Sequence, residues 1–196
     1  FPPMVFELDA TNGNVISAWS LPPNTLGNDV AFLNGEILVT AMGSNLVYRY
    51  DSTPALIEGI RRVGDFEVSV SCYPEKHPDS SNLDADIELL KRKIDAGATR
   101  AITQFVFDTD LHIRFLERAR RLGVKIPVVP GIMPITNFKG IVRMAGRCGA
   151  SVPGWLHERF EGLDEDLETR KLIAATIAAE QVERLTAIGF DNIHFY

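Results

Sequence analysis

Hydrophobic and polar residues follow different patterns before and after about residue 52. In the first stretch, short apolar and β-branched runs flank the pairs Asn12-Gly13 and Asn34-Gly35. An Asn-Gly pair between two such runs is a strong signal for a β-hairpin, because both residues tolerate the positive φ angles of a tight turn. We therefore predict about four or five short strands, and no helix, in the first fifty residues.

After about residue 55, strand-like apolar runs alternate with helical stripes. In the clearest stripe, apolar residues recur at spacings of 4, 3 and 4, which is typical of one face of a helix. Its members are Leu83, Ile87, Leu90 and Ile94. Asn82 or Asp84 is a candidate cap for the start of this helix, and Gly97 ends it. Strands are predicted at residues 66–73, 101–107, 126–132 and 192–196, and further helices at about 110–123, 137–147, 153–160 and 165–188.

This alternation predicts parallel strands joined by right-handed crossovers. A doubly wound sheet and a (β/α)8 barrel both fit, but no GxGxxG follows a strand, which disfavours a dinucleotide-binding sheet. We predict an α/β fold: a partial (β/α)8 TIM barrel with about four C-terminal strands, preceded by a short all-β meander. The domains would be residues 1–52 and 53–196. The first resembles a single β-propeller blade, although a small meander packed on the rest fits equally well.

Composition narrows the classes of partner. The net charge of −6 and the pI of about 5.2 disfavour nucleic acid or an anionic membrane surface, since both select a basic field. Cys72 and Cys148 are far apart and lack CxxC spacing, so neither a disulfide framework nor a metal site is predicted. No apolar run is long enough for a membrane-spanning helix. A reducing, cytoplasmic location is expected.

Candidate chemistry lies near the predicted strand ends. Gln104 interrupts an apolar run, and a buried amide needs hydrogen-bond partners, so it either bonds a neighbouring loop or contacts a ligand. Asp86 and Lys93 are seven residues apart on one helix face and would suit a ribose hydroxyl and a phosphate. An ordinary solvated face is the commoner explanation for such charges. His77, which follows a strand, has no functional signal of its own.

Together, several segments resemble the bacterial type of methylenetetrahydrofolate reductase. The segments are SVSCYPEKHPDS, DADIELLKRKIDAGATRAITQFVFD, VVPGIMPITNFKG, FEGLDEDLETRK and HFY. The resemblance covers residues 55–196 in order, and YPExHP and LKRKxDAGAxxAITQFxFD are its most specific motifs. It implies a (β/α)8 barrel that binds FAD, uses NADH or NADPH, and reduces 5,10-methylenetetrahydrofolate to 5-methyltetrahydrofolate in one-carbon metabolism and methionine biosynthesis.

The resemblance also implies roles for individual residues. Tyr73 and His77 match positions that contact FAD, and Gln104 matches the position whose amide contacts the folate ring. The positions lining the ribityl, phosphate and adenosine parts of FAD are matched by Asp86, Arg92 and Lys93. Cations favour a pyrophosphate, a carboxylate favours hydroxyls, and an amide both donates and accepts.

Some family features have no match. Leu89, Gly140 and Met144 replace an asparagine, a glutamine and an aromatic residue of other members, and the proton-donating glutamate is not found in residues 1–50. No catalytic residue is therefore assigned. The alternative to a reductase is a non-catalytic barrel remnant or chimera whose β segment covers an exposed sheet edge. The open edges of a half-barrel also make a homo-oligomer an expectation to test.

Overall fold

A computed structural model describes residues 52–196 and the backbone of five strands within the first fifty residues. The chain divides into two compact units, Phe1–Phe66 and Glu67–Tyr196, here called the N-terminal and C-terminal units. The domain boundary predicted at residue 52 stays a prediction.

The N-terminal unit contains antiparallel strands, as the Asn-Gly pattern predicts. Its strands are β1 (Met4–Leu8), β2 (Val15–Ser20), β3 (Val30–Leu33), β4 (Glu36–Thr40) and β5 (Val47–Tyr50). Strands β1 and β2 form one sheet, and β3, β4 and β5 form a second in that order. The predicted turn residues, Asn12-Gly13 and Asn34-Gly35, lie outside the described residues.

The same unit contains a helix that the hydrophobic pattern did not single out, α1 (Thr53–Val63). The Ser52 side chain accepts a hydrogen bond from the Ala55 amide at 3.4 Å, and Pro54 occupies the first turn, where its missing N–H costs nothing.

The C-terminal unit is built on parallel strands, which confirms the predicted α/β class. Its strands are β6 (Ser69–Cys72), β7 (Arg100–Thr103), β8 (Val128–Val129), β9 (Gly131–Ile132) and β10 (His194–Phe195). Strand β7 lies between β6 and β8, and β9 pairs with β10. The predicted strand 126–132 is divided into β8 and β9 at Pro130, because proline has no N–H to donate to a neighbouring strand. The Pro130 carbonyl still accepts a hydrogen bond from the His194 backbone N–H at 2.9 Å.

Helices alternate with these strands close to the predicted positions. They are α2 (Leu83–Asp95), α3 (Thr109–Arg121), α4 (Phe138–Cys148), α5 (Gly154–Phe160) and α6 (Leu167–Ala187). Four of them begin at a side-chain cap, formed by Asn82, Asp108, Asn137 and Asp166. Of the two candidates for α2, Asn82 is the cap, and its side-chain oxygen accepts from the Ala85 amide at 2.9 Å. Each such cap is worth about 1 kcal/mol.

Apolar side chains from β7's carboxyl side and from α4, α5 and α6 form one buried cluster. Its largest members are Phe105, Phe107, Ile135, Leu156 and Phe160. This cluster holds the carboxyl end of the sheet against the later helices, and so sets the position of the residues that follow β7. Among the described residues, no helix is both long and apolar enough to cross a membrane.

Candidate functional site

The loop after β6 brings two predicted site residues into contact. The rings of Tyr73 and His77 meet edge to face, with centroids 4.6 Å apart. The Asp79 amide donates to Nδ1 of His77 at 3.2 Å, so a neutral His77 ring carries its proton on Nε2. Burial raises the pKa of the Tyr73 hydroxyl, an effect that a hydrogen bond with the Ser71 side chain opposes. Tyr73 is therefore a neutral donor at physiological pH.

Asp86 holds this loop from helix α2. Its side chain is buried, one carboxylate oxygen accepts from the His77 amide at 2.7 Å, and the other accepts from the Ser80 hydroxyl. A carboxylate offers about four lone-pair sites, so these two bonds leave acceptor capacity for a further hydroxyl. The sequence suggested a ligand contact for Asp86, and the structure adds an anchoring role.

Lys93 lies on the same buried face of α2. Its ammonium donates to the Ser71 carbonyl oxygen at 2.9 Å and reaches the Ser71 hydroxyl at 3.5 Å. Burial lowers the pKa of Lys93, while nearby Cys72 and Asp86 act in the opposite direction. Burial also raises the pKa of Cys72 to about 12, so this thiol is neutral and unreactive at ordinary pH.

Gln104 does not lie within a strand. The prediction of a strand over residues 101–107 is wrong at its carboxyl end, because β7 ends at Thr103. The backbone N–H of Gln104 donates to the Cys72 carbonyl at 2.8 Å. The side-chain oxygen of Gln104 accepts from the backbone N–H of Phe105 at 3.0 Å. Its side-chain NH₂ has no partner among the described residues and is free to donate to a ligand.

Tyr73 and Gln104 line one cavity at the carboxyl ends of β6 and β7. Lys76, Cys148 and Gly149 also line it. Its volume is about 10 Å³, close to that of a single water site, so it marks where these side chains converge rather than enclosing a ligand. Within the described part of the chain, no group of three or more metal-binding side chains forms.

Arg92 stands apart from the other predicted residues. As the neighbour of Lys93 in α2, Arg92 lies about 100° away from it around the helix axis, and the Arg92 side chain is exposed. It has no hydrogen bond or ion pair with any described residue. The structure thus brings together Tyr73, His77, Asp86 and Lys93 around one loop and places Gln104 beside Tyr73, but leaves Arg92 at the surface.

Two residues at this site had no role assigned from the sequence, although both lie within quoted motifs. The Tyr196 hydroxyl donates to the Thr103 carbonyl at 2.8 Å, and the ring of Tyr196 meets that of Phe105 edge to face. A side chain at Gly131 would collide with the Thr103 carbonyl and with Tyr196, where a Cβ atom would lie 2.6 Å from Cε2. Gly131 and Tyr196 together fix the end of β7, from which Gln104 projects.

The family model for methylenetetrahydrofolate reductase matches residues 39–196, and the chain belongs to this family. The match begins earlier than residue 55, where the resemblance in the sequence became evident.

Curated relatives agree with this assignment. The 5,10-methylenetetrahydrofolate reductase of Escherichia coli (strain K12) is 44% identical over 141 residues, covering 72% of this chain and 48% of the relative. That of Buchnera aphidicola subsp. Acyrthosiphon pisum is 38% identical over 162 residues, covering 81% and 56%. Methylenetetrahydrofolate reductase (NADH) 1 of Arabidopsis thaliana is 38% identical over 152 residues, covering 72% and 26%. The chain spans about half the length of the bacterial relatives it matches.

Among solved structures, an uncharacterized protein from Clostridium thermocellum, described as binding two copies of 5-methyl-5,6,7,8-tetrahydrofolic acid, matches with a TM-score of 0.47 and 20% identity. The match covers 70% of this chain and 49% of that one.

Proposed function

We propose that this chain supplies the FAD- and folate-binding part of a (β/α)8-barrel reductase. The reaction is the reduction of 5,10-methylenetetrahydrofolate to 5-methyltetrahydrofolate with NADH or NADPH. Two findings support it: the relatives that bear this name, and the parallel strands with alternating helices over residues matched by the family model. A chain that spans about half of its relatives would supply about half of such a barrel.

The observation that carries the proposal is the meeting of Tyr73 and Gln104 at one cavity. They follow β6 and β7, which are neighbouring parallel strands, and each lies just beyond its strand's carboxyl end. Binding sites of parallel α/β folds lie at this end, because loops from adjacent strands converge there. A ligand ring that contacts Tyr73 would therefore lie near the side-chain amide of Gln104.

The donor set fits FAD. Lys93 has a third N–H without a described partner, and the Arg92 guanidinium is exposed and unpartnered among the described residues. Such cations suit a pyrophosphate. The free lone pairs of Asp86 suit a ribityl or ribose hydroxyl, and the Nε2 proton of His77 is available as a donor.

FAD, when bound, supplies the hydride-transfer chemistry, and the chain's own residues bind and orient. Lys93 would neutralise the pyrophosphate, and Tyr73 with His77 would contact the cofactor from the β6 loop. Arg92 would contact the cofactor only where its phosphate or adenosine part extends over the exposed surface of α2. Gln104 would orient the pterin edge of the folate, because its NH₂ donates while its oxygen still has a lone pair beyond the bond to Phe105. No described residue is assigned as the proton donor.

Two measurements on the full purified chain test the proposal. The first is the visible absorption spectrum after FAD is added and free FAD is removed by desalting, where retained flavin bands are expected. The second is oxidation of NADH or NADPH with a quinone as acceptor, which requires the flavin but not folate. A chain that retains no flavin would contradict the proposal.

The cytoplasmic location and the homo-oligomer stay predictions. Sedimentation of the purified chain at several concentrations tests the second, and a monomer at every concentration would contradict it.

A further inference from the structure

Lys76 has a backbone conformation that favours glycine. Its φ angle is +107°, and it is the one non-glycine residue with positive φ among those for which the structure describes the backbone torsions. An L side chain is strained in this region, whereas glycine is not. A compensation for this strain is therefore expected in the contacts of the Lys76 side chain.

The Lys76 ammonium closes the turn that follows it. It donates to the carbonyl oxygens of His77 at 3.0 Å, Pro78 at 3.1 Å and Ser80 at 2.6 Å. An ammonium has three N–H donors, so all three are used within this one loop. The contacts direct three carbonyl oxygens of the segment 77–80 toward a single charge, which an extended loop would not do.

Asp86 binds the same loop with the opposite charge. It accepts from the His77 amide and the Ser80 hydroxyl, so these two residues are each bound to both charges. The Asp79 amide, which lies between them in sequence, sets the tautomer of the His77 ring. Backbone and ring of His77 are thus fixed together, with the ring against Tyr73.

We propose that Lys76 is a positioning residue for flavin binding: it holds the loop 77–80 closed so that His77 presents its Nε2 proton beside Tyr73. The proposal rests on the proposed function, because it takes FAD as the ligand of His77. It assigns a role to a residue that lies within the YPExHP motif at its variable position, where the family resemblance implies none.

Three variants separate the side chain's role from the backbone strain. Lys76→Met keeps the length and removes the charge, Lys76→Gly removes both charge and strain, and Lys76→Arg keeps donors for the carbonyls. Lys139→Met is the matched control, since Lys139 makes an exposed ion pair with Asp164 at 2.7 Å, outside the β6 loop. The FAD dissociation constant is measured by titration, and hydrogen exchange of the segment 76–82 is measured without flavin.

The expected result is weaker FAD binding in Lys76→Met and Lys76→Gly, by roughly tenfold or more, as expected when hydrogen bonds to a charged group are lost. Lys76→Arg should retain most of the affinity, and Lys139→Met all of it. Exchange within 76–82 should accelerate in the first two variants only. Recovery of wild-type affinity in Lys76→Gly would overturn the proposal, because strain alone would then explain the conformation.

Hydrogen exchange distinguishes this proposal from the proposed function. If the wild-type chain binds no FAD, the proposed function fails and the flavin role of Lys76 fails with it, whatever the exchange rates show. If the wild type binds FAD and Lys76→Met binds it equally well, only the positioning role is overturned. Unchanged exchange in Lys76→Met would show independently that the ammonium does not hold the loop.

Discussion

The Lys93 ammonium lies 2.9 Å from the carbonyl oxygen of Ser71, twenty-two residues earlier in the chain. This bond ties helix α2 to strand β6 just before Tyr73. Lys93 has no ion pair with a carboxylate among the described residues, although its side chain is only 6% exposed. A buried cation without a paired anion is costly, so a bound anion would compensate it.

Lys93→Met should weaken FAD binding by about tenfold or more, because the buried cation is lost. The free energy of unfolding should change little, because the lost bond to the Ser71 carbonyl and the lost attraction to Asp86 offset the desolvation cost that is removed with the buried charge. Flavin titration and urea unfolding measure the two effects. Lys91→Met is the control on the same helix, as Lys91 pairs with Glu88 at the surface. Equal flavin affinity in both variants would refute a role for Lys93.

Gln104→Ala should raise the KM for the folate substrate by about tenfold, which corresponds to one lost hydrogen-bond interaction of about 1.4 kcal/mol. Turnover of NADH with a quinone should be unchanged, because that reaction requires no folate. Steady-state kinetics with the two acceptors measure the difference. A parallel loss in both reactions would indicate that Gln104 acts on the cofactor or on the fold instead.

Gly131→Ala should destabilise the chain by about 1–3 kcal/mol or more, because the added Cβ atom collides with the Thr103 carbonyl and the Tyr196 ring. Gly146→Ala is the matched control, since Gly146 lies in helix α4 and a Cβ atom there meets nothing within 4 Å. That variant should be more stable by about 0.5–1 kcal/mol. Urea unfolding compares them. Equal stabilities would mean that β9 and Tyr196 shift at little cost.

Acid should destabilise the chain through His112. Burial lowers the pKa of His112 to about 4, below the value of 6.5 for an exposed histidine. Between these two pH values the unfolded chain binds a proton that the folded chain does not, so stability rises with pH across this window and is lost as pH falls through it. Over the whole window, His112 changes the free energy of unfolding by about 3 kcal/mol.

Unfolding by urea at several pH values between 4 and 7 tests this expectation. His112→Gln should reduce the change of the unfolding free energy with pH between 4 and 6.5, while the contributions of the carboxylates remain. Nε2 of His112 has no hydrogen-bond partner among the described residues, and the contact of Nδ1 with the Thr103 hydroxyl is long at 3.4 Å. An unchanged slope in His112→Gln would contradict the expectation, because it would mean that the pKa of this histidine is not lower in the folded chain than in the unfolded chain.

Local signals predicted most elements of the C-terminal unit. Helix α2 begins beside Asn82 and ends before Gly97, as the caps indicate, because capping depends on residues within one turn of the helix end. Strand ends were less predictable. β7 stops at Thr103 although its apolar run continues to Phe107, since Phe105 and Phe107 are buried in the cluster beneath α4–α6 rather than in the sheet.

The sequence by itself determined the family and the order of strands and helices, and the family resemblance singled out six candidate site residues: Tyr73, His77, Asp86, Arg92, Lys93 and Gln104. These follow from motifs and periodicity, which are local properties of the chain. Only the tertiary structure decided that Asp86 and Lys76 both bond to His77 and Ser80, that Lys93 is buried without a described carboxylate partner, and that Arg92 is exposed. Burial and hydrogen bonding depend on which elements meet in space, and residues distant in sequence settle that.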